Sequence, residues 1–191
     1  MDFLDHKTIY TILHLFGVAM GAGGAYMSDI MFLSCLRDRV FSKTEIRFLK
    51  IGSGMVWTGL LILFLSGFGM FTLDPGHYVE SSKFLAKMII VGVITLNGAI
   101  MHTVQMPLIL RHQGGHFPSS DEFVRKTPLL LIGGAISIPS WTFAIVLGAL
   151  RGLPYSVGQI LLVYAAVLII AITTALFLKN TLFFGSSSKK K

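Results

Sequence analysis

The chain has 191 residues, 53% of them hydrophobic and only 13% charged, with a mean hydropathy of +0.74. That balance excludes an ordinary soluble domain and points to an integral membrane protein. The net charge of +7 is carried by loops on one side of the apolar segments, so it implies no nucleic-acid partner.

Five apolar runs are long enough to cross a bilayer, at about 8–34, 51–73, 84–110, 127–150 and 155–178. Their length and the lack of strict alternation exclude a β-barrel and predict an all-α integral membrane protein. It is expected to be a five-transmembrane-helix bundle forming one domain over 1–184, followed by a polar basic tail at 185–191. Arg37, Arg39, Lys43, Arg47 and Lys50 follow the first run, Arg111, Arg125 and Lys126 flank the third connection, and Lys179 and Lys189 to Lys191 end the chain. The opposite side has fewer cations, and the positive-inside rule then predicts the N-terminus outside and the C-terminus inside a bacterial inner membrane. The first run starts after acidic residues and has no small-residue cleavage pattern, so its helix is expected to be retained. Cys35 is the only cysteine, which excludes an intramolecular disulfide.

The first run carries the most distinctive pattern. His14, Gly17, Gly21, Gly24, Ser28 and Met31 follow one another at steps of three and four, and so share a helical stripe. Such a stripe has two readings. Small residues let a neighbouring helix approach closely, or they leave room for a flat cofactor beside the histidine, whose placement in hydrocarbon marks a site.

The basic connection leads through "TEIRFLKIGSGM" into the second run. The third run, "KFLAKMIIVGVITLNGAIMHTVQM", supplies Lys87, Met88, Asn97 and His102. Lys87 and His102 lie roughly 60° apart around the helix axis at about 100° per residue. His14 and His102 differ in depth by about twelve residues, roughly 18 Å, too far for one iron. His14 is therefore expected beside Lys87, Met88 and Met70, with His77 in the loop "DPGHYVESSK" nearby. His102 is expected beside Asp29, Met27, Met31, Met55, Met101 and Met106. His112 and His116 are expected in a solvated loop.

In the fourth run, "IGGAISIPSWTF" places Pro139 mid-span, where a kink is expected, with Ser137 and Ser140 able to bond back to carbonyls. Trp141 follows the bend. The fifth run has only Gln159, Tyr164, Thr173 and Thr174 as polar members and reads as a buttress or an oligomer contact.

The order of these features resembles the superfamily that joins copper resistance protein D to the HemJ-type membrane protoporphyrinogen oxidases. The shared features are the early histidine, the "TEIRFLKIGSGM" connection, the lysine opening the third helix with an asparagine ten residues on, and "FVRKTPLLLIG" entering the fourth. The resemblance covers about residues 8 to 140. It implies b-type haem, with His14 and Lys87 as the functional pair, and Lys87 and Asn97 match the copper-protein branch. Asn97 stands where many HemJ-type chains have a second histidine, and the fifth helix has no counterpart in the four-helix core.

Three functions follow as expectations. The first is a haem b protein with a redox or electron-transfer role, possible catalytic residues His14 and Lys87, and a cofactor site of His14, Gly17, Gly21, Gly24, Lys87, Met88, Asn97 and His102. The iron ligand would be His14 or His102, and the partner an unidentified redox protein or small substrate. The second is copper(I) handling through Met27, Met31, Met101 and Met106 with His102, since thioethers suit that ion. The third is a proton-coupled carrier that uses Asp29 and His102 without a cofactor.

Overall fold

A computed structural model describes residues 5–38, 41–111, 121–150 and 152–184. His112, His116, the loop around them and the tail at 185–191 lie outside the described residues. All regular structure among the described residues is helical, in the order α1 (His6–Asp38), α2 (Lys43–Leu73), α3 (Pro75–Glu80), α4 (Ser82–Ile100), a π-helical turn (Met101–Gln105), α5 (Met106–Arg111), α6 (Asp121–Ala149) and α7 (Val157–Phe184). Five spans are long and apolar enough to cross a membrane, the third being α4, the π turn and α5 in series. The chain is thus a multi-pass membrane protein, and the side chains it exposes, such as Phe68, Leu162, Ile170 and Phe177, suit a lipid surrounding.

Helix ends depart from the apolar runs where capping chemistry decides. The apolar run predicts a start at 51, but α2 begins at Lys43 because Ser42 and Glu45 form a capping box. The Ser42 N–H donates to Glu45 Oε2 at 2.7 Å and the Glu45 N–H to Ser42 Oγ at 3.2 Å. Ser156 and Gln159 make the same reciprocal pair before α7, so Gln159 caps rather than lines a site. The expected loop at 74–83 contains α3, started by Asp74 accepting from the His77 N–H. His77 is exposed there and stands edge-on to Tyr78.

The most extensive contact is between α1 and α2, and glycine makes it possible. A Cβ on Gly59 would fall on the backbone of Gly21, one on Gly52 would fall on Ser28 Oγ, and one on Gly24 would lie 2.8 Å from Gly52 O. The two backbones therefore touch along the stripe. On its other side Gly21 is covered by the Trp141 ring of α6. Of the two readings of the stripe, close helix packing is the one found. Gly17, Gly21 and Gly24 face Leu63, Gly59, Met55, Gly52 and Trp141, and a macrocycle would have to displace α2 to enter.

The third span is tied to α6 by two amides. Asn97 Nδ2 donates to Gly133 O and Gln105 Nε2 to Leu129 O, each at 3.1 Å. The π turn sets this grip. Pro107 lacks an N–H and its ring disfavours a regular preceding turn. The Met106 N–H reaches back five residues to Met101 O. Within the turn Gln105 is buried while His102, Thr103 and Val104 face outward. Helix α7 leans on α6 and α4. Ser140 donates to Ile136 O at 2.6 Å, so the 2.7 Å contact with Tyr164 has the phenol as donor.

Candidate functional site

The intramembrane polar groups fall at two levels, fifteen residues apart on α1 and so separated by about 22 Å along its axis.

At the first level, His14 Nδ1 lies 3.0 Å from Ser66 Oγ. The Ser66 hydroxyl is 2.6 Å from Ile62 O, its carbonyl acceptor one turn back. With the hydroxyl proton committed there, the ring N–H is the donor to Ser66 and Nε2 keeps its lone pair. Ser66 is buried and His14 half-buried. Lys87 is half-buried, and its charge acts on His14 through space. A Cβ on Gly148 of α6 would be 3.5 Å from its Nζ. His14 and Lys87 thus share one level of the bundle. Met88 does not join them, because its side chain is 45% exposed and points out of the bundle.

The second level is different in kind. Asp29 is 3% exposed and Ser28 7%, and Asp29 Oδ2 and Ser28 Oγ are both buried without a hydrogen-bond partner. Ser137 of α6 bonds to the Asp29 carboxyl. Ser28 and Asp29 border a largely apolar cavity of about 60 Å³ between α1, α2, the third span and α6, into which Ser53, Asn97, Gln105 and Ser137 also face. That volume admits a few water molecules. An unpartnered buried oxygen costs about 1–3 kcal/mol, and an unneutralised buried carboxylate far more. A group placed here needs a proton, a water or a cation.

The other expected ligands do not gather around one ion. His102 is exposed, with Nδ1 3.4 Å from Ser53 Oγ and its ring edge-on to Trp57. It therefore meets the cavity wall from outside, at Ser53 and Trp57. Asn97 serves the helix contact with Gly133 rather than a ring. Met101 and Met106 do line the cavity. Met27 lies by Gly52 on the α1–α2 seam, and Met31 packs with Met106 against the Phe32–Phe41 cluster. Among the described residues no three His, Cys, Asp or Glu side chains form a group able to hold a metal.

Three functional positions carry no signal that the sequence reading used. Ser66 and Ser53 are ordinary helical serines until a histidine is placed against each. Gln105 reads as a polar residue at the end of a run, and only the π turn brings it inward. Proximity to Pro107, which disturbs the helix, was the available clue.

Comparison of the chain with protein-family models, with curated proteins and with solved structures found no match.

Proposed function

We propose that the chain is a proton-coupled membrane carrier whose working group is Asp29. The observation that carries this reading is the unpartnered, fully enclosed Asp29 Oδ2 at the wall of a largely apolar cavity into which Ser53, Ser137, Asn97 and Gln105 bring polar groups. Ionisable groups inside membrane bundles are costly, and they persist where a charge or proton has to be bound and released. Ser137 orients the carboxyl, and water held by Ser53, Asn97 and Gln105 carries the proton to and from it. His102, bonded to Ser53, is a second proton station at the edge of the same cavity. By the charge of the flanking loops this level faces the cytoplasmic side of a bacterial inner membrane.

The test is chemical. An apolar carbodiimide reacts with a protonated carboxyl in a membrane interior and leaves a stable adduct that peptide mass mapping locates. Asp29 should be modified in purified protein, faster as pH falls. Modification that spares Asp29, or that proceeds there at the same rate from acid to alkaline pH, would refute the reading.

A second reading keeps the haem b expectation and its oxidoreductase role of the protoporphyrinogen-oxidase type. Its support is the free Nε2 of His14, held by Nδ1 donation to Ser66 as ligating imidazoles commonly are. A ring on that nitrogen would have to stand away from the packed Gly17, Gly21 and Gly24. Haem, if bound, supplies the redox chemistry, and Lys87 would meet a propionate. A Soret band in the purified protein that is lost in His14→Ala would establish it, and a colourless preparation with no uptake of added haem would end it.

A further inference from the structure

Asp29 borders two cavities. Besides the smaller one, it lines a space of about 330 Å³ between α1, α6 and α7. The walls are apolar, formed by Phe32, Leu131, Ile138, Ala171 and Ala175 among others, and Asp29 and Thr174 are the only polar side chains on them. The gap arises because α7 leans on α6 and α4 rather than on α1, and because Gly134, Ala135, Ala171 and Ala175 are small where the two helices flank it. Its rim consists of side chains that face outward from the bundle: Leu33, Ile138 and Leu178 are 48%, 37% and 46% exposed. The space is therefore open to the acyl chains of the bilayer, with one enclosed carboxylate at its inner wall.

Resting on the reading of Asp29 as the working group, we infer that this lateral groove is the substrate site and takes a lipophilic organic cation carrying a single positive charge. An apolar lining selects an apolar body, and the volume suits a small one of one or two rings. A single carboxylate at the end selects one positive charge. An anion would be repelled by it, and an uncharged chain would leave Oδ2 unpartnered. Inside hydrocarbon the carboxylate is neutralised by the proton or by the cation, and one negative charge holds one of them at a time. Binding is then an exchange in which Asp29–COOH and the cation give the Asp29 carboxylate–cation pair and a free proton. The proton leaves by the smaller cavity on the other side of Asp29, so the two ligands use different faces of one group. The smaller cavity and the groove share Asp29, Phe32, Leu130 and Gly134 as their common wall. Among the described residues no other titratable side chain except Asp29 lines either space. On the surrounding elements Tyr26 of α1 is bonded to Thr142, Tyr164 of α7 to Ser140, and His102 to Ser53, while Lys50 of α2 and Lys126 of α6 lie outside both walls.

Benzyltrimethylammonium is a suitable probe, because its permanent charge means that any proton released comes from the protein. Added to purified full-length protein in lightly buffered detergent at mildly acidic pH, it should release about one proton per cation bound. The affinity should fall about tenfold for each unit of further acidification, as competition for one group requires. The carbon isostere neopentylbenzene should release none. Asp29→Asn should abolish the release. Ala175→Phe, which fills the groove from α7 without touching the carboxyl, should weaken cation binding by at least about tenfold while carbodiimide modification of Asp29 persists. Proton release by the neutral isostere equal to that by the cation would overturn the inference, as would unchanged cation affinity in Ala175→Phe. If Asp29 reacts with carbodiimide in the expected pH-dependent way but the cation releases no proton, the groove is not the substrate site and the carrier reading stands. If Asp29 does not react either, both fall together.

Discussion

The two levels of the bundle make opposite use of small residues. Along the α1–α2 seam, which runs from the His14 level inward, glycine on α1 is met by glycine on α2, the backbones touch, and His14 has a committed Nδ1 partner in Ser66. At the Asp29 level, small residues on α6 and α7 are met by other small residues at a distance. A π turn interrupts the third span, α6 runs unbroken through Pro139, and a carboxylate oxygen is left unpartnered between two cavities. A glycine is a groove only if nothing fills it, and whether it is filled depends on the partner helix. Small residues that close the α1–α2 seam leave the space beside α6 and α7 open.

Mutations that overfill the closed level should have the largest effect. Gly59→Leu places its first side-chain carbon on the backbone of Gly21, which cannot move aside as a side chain could. A loss of about 3 kcal/mol, the upper end for overpacking, is expected as a lowered melting temperature in detergent. An unchanged melting point would mean that α1 and α2 are not in backbone contact, and the contrast between the levels would collapse.

Next in size is Ser66→Ala. It leaves the His14 ring N–H without its acceptor, and a loss of about 2 kcal/mol is expected, within the range for a buried donor left unmade. A double variant with His14→Leu should recover part of that loss, because no donor then remains to satisfy. Failure of the double variant to recover would show that the bond between the two residues is not what the serine contributes.

A smaller effect is expected at the grip between the third span and α6. Asn97→Leu and Gln105→Leu each remove one bond to an α6 carbonyl and should each cost about 0.6 kcal/mol, up to roughly 1.7 kcal/mol, as interhelical bonds in membranes do. Hydrogen exchange of α6 amides should quicken near Gly133 in the first and near Leu129 in the second. Equal protection in both variants and the parent would remove these amides from the account. The smallest effect belongs to Gly23 and Gly54, where an added Cβ would meet nothing within 4 Å. Alanine at either should leave stability within about 0.5 kcal/mol of the parent.

Much of this was legible in the sequence, for reasons that also mark where legibility stops. The five spans follow from length and hydropathy alone, because hydrocarbon requires every backbone group to be paired within its own helix. The stripe from His14 to Met31 follows from the helical repeat, and so does the grouping of His14 with Lys87 on one level. What fills the stripe does not follow, since it depends on Gly52 and Gly59 of another helix meeting it in register. The inward turn of Gln105 depends on the π turn of Met101–Gln105, and the exposure of His102 on which neighbours pack against its face. Asp29 stood out as an acidic residue inside a span, but its unpartnered oxygen and its two cavities are properties of four helices together.

The central claim is that Asp29 takes up and releases a proton inside the membrane, and infrared difference spectroscopy of the purified protein tests it most directly. Acidification should produce a carboxylic-acid C=O band at a frequency typical of a carboxyl in apolar surroundings. The band should vanish in Asp29→Asn and persist in His14→Ala. If the same band appears undiminished in Asp29→Asn, the proton is held elsewhere and Asp29 is not the working group.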